Sequence, residues 1–284
     1  MVNDELKIFR ESVTGTDHKI SDNIIVKNRT LGDICDFGES EYYNLTSLLC
    51  ALPAQHKVWL WDSGVDWTTI TNWEFLLYTY KQLKELEVEF VLDIKNFKTL
   101  ELYENSQNGE YVFGYTKKYY KCNDCGLNFT NDDCEIYDVC SNCNGTNIVL
   151  EGEEPKVVID KMFWFETCDY MRKANGFTQE EYEPLNEYSK KKMVNKDRKR
   201  IARQQERSES EKNKSMLLPL IASLVNHQSF KYNYEDVWNI TIGALTESTH
   251  RIQKFVNYMQ VMGGVYAGNV SYDKLNKDEL NWLN

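Results

Sequence analysis

Five of the eight cysteines in this 284-residue chain, Cys122, Cys125, Cys134, Cys140 and Cys143, fall within 22 residues. Two pairs have the Cys-x-x-Cys spacing that lets two thiolates converge from one tight turn, and the fourteen residues between the pairs are enough for a hairpin. Two such knuckles supply four sulfur ligands in a tetrahedral array. Gly126 and Gly145 stand where a knuckle needs backbone freedom, because amides there turn toward the sulfurs. Cys134 is the odd thiol and reads as a spare. Cys35, Cys50 and Cys168 sit among apolar residues and read as small core side chains. A disulfide framework suits small secreted proteins, and this chain is large and opens without a basic region followed by an apolar run.

From Tyr120-Lys121-Cys122-Asn123-Asp124-Cys125-Gly126 through Cys143 the chain resembles the zinc-ribbon family. Rubredoxin-type iron sites share the paired spacing but usually carry Pro after the first Cys of the second knuckle, where this chain has Ser141. One structural zinc is therefore the expected cofactor. Between Cys122 and Cys143 lie Asp124, Asp132, Asp133, Glu135 and Asp138 with neither Lys nor Arg, and a four-thiolate zinc adds a formal charge of about −2, so the module should repel phosphate. A staple is the expected role, with protein docking as the alternative. Four thiolates close the coordination sphere, which argues against catalytic zinc.

Other reactive constellations are missing. His18, His56, His227 and His250 have no paired spacing, no Gly-rich loop ends in Lys-Ser or Lys-Thr, and no Gly-x-Ser-x-Gly elbow occurs. The run Gly263-Gly264-Val265-Tyr266-Ala267-Gly268 follows no convincing strand, which weakens a dinucleotide reading. A nonenzymatic protein is expected. An enzyme would need an unrecognised carboxylate site in a concave pocket.

The elements that would position these residues follow from patterning. Apolar residues make up 42% and charged residues 27%, and no apolar run is long enough to span a bilayer, so a globular chain without membrane partners is expected. Residues 1–29 read as extended, with Asn23–Lys27 the clearest strand. Thr30 with Asp33 and Thr71 with Glu74 are capping boxes, the first opening a helix that continues past Gly38 toward Pro53 and the second a helix burying Phe75, Leu76, Tyr80, Leu83 and Leu86. Phe90–Ile94, Thr99–Tyr103 paired with Tyr111–Tyr115, Asn147–Leu150 and Lys156–Ile159 read as strands around the ribbon. Met162, Phe163, Trp164, Phe165, Cys168 and Met171 pack one helix that Gly176 ends, and Thr178–Glu181 caps the next. Apolar helical patterns resume at Leu217–Val225 and from Val237 to Met262, where Gly263-Gly264 should terminate them. The fold class is α+β: a mixed α/β part at 1–116, a four-Cys zinc-ribbon insertion at 117–150, and a mainly helical half at 151–284.

Two features of the helical half bear on partners. The net charge is −11, which disfavours nucleic acid for the molecule as a whole. Yet Lys190 to Arg203 holds eight basic residues against Asp197 alone, a local +7 that leaves about −18 elsewhere. This lies in a polar helix at about 186–215. Lys192, Lys196, Lys199, Arg200 and Arg203 on it can track phosphates or dock a protein, although a solvated, self-neutralising helix is the expected reading because no aromatic residue interleaves them. At the C-terminus, Asn276–Glu279 can cap a short helix whose Leu280, Trp282 and Leu283 must be covered by the chain's own groove or by a partner.

Thr30 to Glu39, running on to Trp61-Asp62-Ser63-Gly64-Val65-Asp66-Trp67, resembles tail- or baseplate-assembly proteins of phages of low-GC Gram-positive hosts, as do Gly264–Val270 and Asp278–Leu283. The resemblance implies a nonenzymatic structural or assembly protein with tail or baseplate partners, present in the host cytoplasm during assembly and in the virion if retained. The alternative is a nucleic-acid-associated zinc-ribbon protein using 190–203.

Overall fold

Both capping boxes form. The computed structural model describes residues 2–105, 109–130, 139–177, 184–206 and 214–269, with Ser271 and Leu275. In it the Thr30 and Thr71 hydroxyls accept from the amides of Asp33 and Glu74, whose carboxylates accept from the Thr30 and Thr71 amides in return. These boxes start α2 (Leu31–Phe37) and α5 (Asn72–Leu83), the short α4 (Lys57–Asp62) lying before the latter; α5 buries Phe75, Leu76, Tyr80 and Leu83 as its periodicity predicts and Trp73 besides, while Leu86 falls past its end and is half-buried. The first helix does not continue through Gly38. That residue takes φ +111°, ends α2 and starts α3 (Glu39–Leu49), a conformation that favours glycine.

The expectation of extended chain at 1–29 is overturned at its start, where Val2–Thr14 form helix α1. Its fully buried residues are the polar Glu11 and Ser12, with Ile8 and Val13 half-buried against the core and Leu6 and Phe9 exposed, so no continuous apolar stripe announces the helix. Glu11 is held by His18 Nδ1 at 2.6 Å, and His18 stacks on Tyr170 with ring centroids 3.9 Å apart. Strands β1 (His18–Ser21), β2 (Ile24–Val26) and β3 (Leu92–Ile94) form an antiparallel sheet in that order. Val88–Phe90 is a 3-10 turn, so the expected strand at Phe90 begins two residues late.

The second sheet carries the cysteine hairpin. Its central strand β5 (Tyr111–Cys122) pairs along one edge with β7 (Ile148–Ile159), and along the other with β4 (Glu101–Glu104) near its start and β6 (Asn128–Thr130) near its end. Val112, Phe113 and Tyr115 at the start of β5 are buried in the body, with Phe113 against Trp73 and Tyr80. Gly114 is required there, since a Cβ would collide with the Lys156 carbonyl and with the Tyr103 hydroxyl that donates to it at 2.9 Å. The two expected strands at 147–150 and 156–159 are one continuous β7. Pro155 is tolerated because β7 is an edge strand that, among the described residues, pairs with β5 alone. The turn residues 106–108 lie outside the described residues.

The helices beyond β7 enclose the core. Asp160 caps α6 (Lys161–Asn175) by accepting from the Phe163 amide at 2.7 Å, and Gly176 ends it at φ +66°. Trp164, Cys168 and Met171 lie on one face and are buried, whereas Met162 and Phe165 fall on the opposite side and are exposed, against expectation. Cys50 and Cys168 are core residues as expected; Cys35 is exposed. The polar helix forms as α7 (Glu187–Gln205), followed by α8 (Leu217–Val225) and α9 (Ile242–Tyr266). Val237 and Ile240 precede α9, which Thr241 caps. Gly263-Gly264 does not end α9; the helix runs to Tyr266, and Gly268 at φ +72° follows it. The expected cap at 178–181 lies outside the described residues. The fold is thus mixed α and β with a four-cysteine cluster and a helical C-terminal part, and buried residues from Ile24 to Leu245 form one contiguous core.

Glu39 ties α3 to α8. Its carboxylate accepts from Ser215 Oγ at 2.5 Å, the Met216 amide at 2.7 Å and the Leu217 amide at 3.0 Å, placing a negative charge at the start of α8. Glu39→Ala should cost about 2 kcal/mol, read as a lower denaturant midpoint, because charged hydrogen bonds are worth about 1.5–3 kcal/mol. Glu39→Gln, which keeps an acceptor oxygen, should lose less.

Candidate metal centre

The strand β5 delivers Cys122 as its last residue, and a tight turn then brings Cys125 back beside it. In the first knuckle the Gly126 amide donates to the Cys122 carbonyl at 2.7 Å, and the Cys122 amide donates to the Leu127 carbonyl at 2.9 Å. The second repeats this pattern: Asn144 N–H to Cys140 O at 2.9 Å and Cys140 N–H to Gly145 O at 2.8 Å. The left-handed residues in the two knuckles are Gly126 at φ +77° and Asn144 at φ +57°. Gly145 therefore does not supply the expected positive φ; Asn, which tolerates that region, does. Gly145 is needed for another reason, since a Cβ there would strike the Asp124 carboxylate from the first knuckle.

The four sulfurs of Cys122, Cys125, Cys140 and Cys143 all lie within 4.8 Å of one another, with Cys122–Cys143 and Cys125–Cys140 both at 3.6 Å. A tetrahedral ion with metal–sulfur bonds of about 2.3 Å requires sulfur–sulfur spacings of about 3.8 Å, so the cluster is at metal-binding distance. Cys122 and Cys140 are buried, and Cys125 and Cys143 are exposed. The Asn142 side chain and the Leu127 amide pull the Cys125 thiol down to about 6. At Cys143 the Gly145 amide pulls downward, but burial and the three neighbouring cysteines outweigh it and push the thiol up to about 12. Four such groups share negative charge poorly until a cation is placed among them.

Among the described residues, packing at this end is thin. Cys122, Phe129 and Cys140 form a separate buried cluster, flanked by Tyr120, Leu127 and Ile148, with Tyr120 stacked on Phe129 at 5.6 Å. The sequence reading missed Asn142 and the left-handed Asn144. Superposing the two knuckles residue by residue would have placed Asn144 opposite Gly126.

Residues 210–284 match the family model of the YomV second domain. The match suggests a phage-type protein and carries no tail or baseplate specificity. It covers about a quarter of the chain and includes α8 and α9. No curated protein and no solved structure matches the chain.

Among the described residues, the thiol cluster takes in none of the other sequence-predicted positions. Lys192, Lys196, Lys199, Arg200 and Arg203 are exposed on α7. Cys134 and the C-terminal Leu280, Trp282 and Leu283 lie outside the described residues. Among the described residues, no helix is long and apolar enough to cross a membrane. Replacing Lys192, Lys196, Lys199 and Arg200 by Gln should leave the melting temperature within about 2 °C of the parent, because exposed charges contribute little each. A drop of several degrees would show that this face is packed.

Proposed function

We propose that this chain is a nonenzymatic bacteriophage structural or assembly protein that acts in tail or baseplate formation and is stapled by one structural zinc. The observation that carries the phage reading is the match of residues 210–284 to the YomV second domain. The four-thiol cluster supports the staple: sulfur-only ligands select a soft, tetrahedral ion, and among the described residues the cluster around Phe129 is too small to hold the hairpin by itself. The tail or baseplate role rests on the resemblance of Thr30–Trp67 and Gly264–Leu283 to proteins of that kind.

Purifying the tagged chain from phage-infected cells and identifying its companions by mass spectrometry tests the assembly role. Co-purification of tail or baseplate proteins is expected; recovery of replication proteins alone would overturn it. A chain lacking residues 276–284 that melts normally but loses those companions would assign the contact to Leu280, Trp282 and Leu283.

A further inference from the structure

The basic helix α7 has two faces that the sequence alone does not separate. One is fastened to the body. Val194 is buried in the core, Lys190 pairs with Asp66 at 2.5 Å, Arg198 pairs with Asp62 at 2.5 Å, and Asp197 pairs with Lys57 at 2.5 Å with both side chains 15% exposed. At about 100° per residue, Lys192, Lys196, Lys199 and Arg203 fall within an arc of roughly 60° on the side opposite these anchors. All four are exposed. The acids that face α7, Asp62 and Asp66, are engaged by Arg198 and Lys190, and the helix's own Asp197 lies on the anchored side.

We infer that this outer stripe of α7 is a binding site for the phosphate backbone of duplex nucleic acid. The inference does not rest on the assembly role proposed above. A helix rises about 1.5 Å per residue, so the stripe spans about 16 Å, over which a duplex presents roughly nine phosphates at one charge per about 1.7 Å. Anchoring on the opposite side holds the helix in place before binding, so little ordering entropy is spent on it. From Lys192 to Arg203 this face has no aromatic or aliphatic side chain with which to enter a bilayer or fill a protein pocket; the one exposed aromatic on the same side of α7 is Tyr188, a turn before Lys192, which is too little for a membrane-inserting helix or a protein hot spot. In a duplex the base faces are already stacked on one another and out of reach of Tyr188, so the contact is to backbone and independent of sequence. The cysteine hairpin, acidic throughout, stays off the duplex.

The test measures binding of the full chain to a fluorescent DNA duplex of about 30 base pairs. Four phosphate contacts give a slope of log affinity against log salt of about −3.6, a loss of roughly 150-fold between about 50 and 200 mM salt. Changing Lys192, Lys196, Lys199 and Arg203 together to Gln should weaken binding at least about 100-fold and flatten that slope. A charge-matched control with Lys7, Lys19, Lys81 and Lys98 changed to Gln should bind nearly as the parent does. Absence of binding at about 50 mM salt overturns the inference, as does equal loss in the control. So does binding to phosphatidylserine vesicles as tight as to the duplex, which would make the stripe a lipid site.

Discussion

Purified chain is expected to carry one zinc, and Cys140→Ser should abolish it while the main melting transition of the body stays in place. The hairpin end relies on a buried cluster of Cys122, Phe129 and Cys140 that is separate from the core of the body. A structural four-thiolate zinc contributes on the order of 10 kcal/mol or more, far above what that cluster can supply. Chelation should therefore expose the amides of residues 119–130 and 139–150 to hydrogen exchange and leave those of α5 and α6 protected. Metal analysis across pH gives the sign of the proton linkage. All four ligands must be thiolates, and in the free cluster Cys143 keeps its proton, being pushed up to about 12. Zinc binding thus releases protons, and retention should fall as pH is lowered. Cys134→Ser should leave the metal content unchanged; loss of zinc in that variant would mean a different ligand set.

The largest effect in the body is expected at Trp164. This side chain is fully buried on α6, and its indole N–H donates to the Asn72 carbonyl at 3.1 Å, joining α6 to the start of α5. Trp164→Ala removes the bulk and the donor together, at a cost of about 3–5 kcal/mol. For a chain of this size that corresponds to a fall in melting temperature of roughly 10 °C. Trp164→Phe should lose less, since it keeps most of the volume but leaves the Asn72 carbonyl without its donor. Neither variant should change the zinc content of the folded fraction, because distant sites with no shared partners act independently. A parallel loss of zinc would show that the hairpin end and the body fold as one unit.

How much of this was legible in the sequence depended on whether the signal was local. Thr30 with Asp33, Thr71 with Glu74, and the paired cysteines each act within a few residues, and each formed as read. The basic helix was equally plain, but its division into anchored and open faces depends on Asp62, Asp66 and Lys57, more than 120 residues away. Helix α1 escaped because its fully buried residues are Glu11 and Ser12, stabilised by partners such as His18 that no periodicity shows. The strands read at 147–150 and 156–159 are one, and Pro155 is harmless within it because, among the described residues, β7 pairs on one side alone. Gly263-Gly264 looked like a stop, yet α9 continues through both residues.

The continuity of β5 from Phe113 in the body core to Cys122 at the metal centre bears on which insertions and deletions this chain can survive in evolution. Side chains alternate along a strand, so losing one residue between Tyr115 and Cys122 would turn the first thiol to the opposite face, while the core holds the other end of the strand. Its partner strand spans the same ends, Ile148 beside Cys122 and Ile159 beside Phe113, but its register shifts once between Phe113 and Gly114 and once between Tyr119 and Tyr120, so β7 absorbs single extra residues that β5 does not. Among related chains, length changes along β5 should come in twos, and single-residue changes should gather at the two register shifts of β7 and in the connection between the two knuckles.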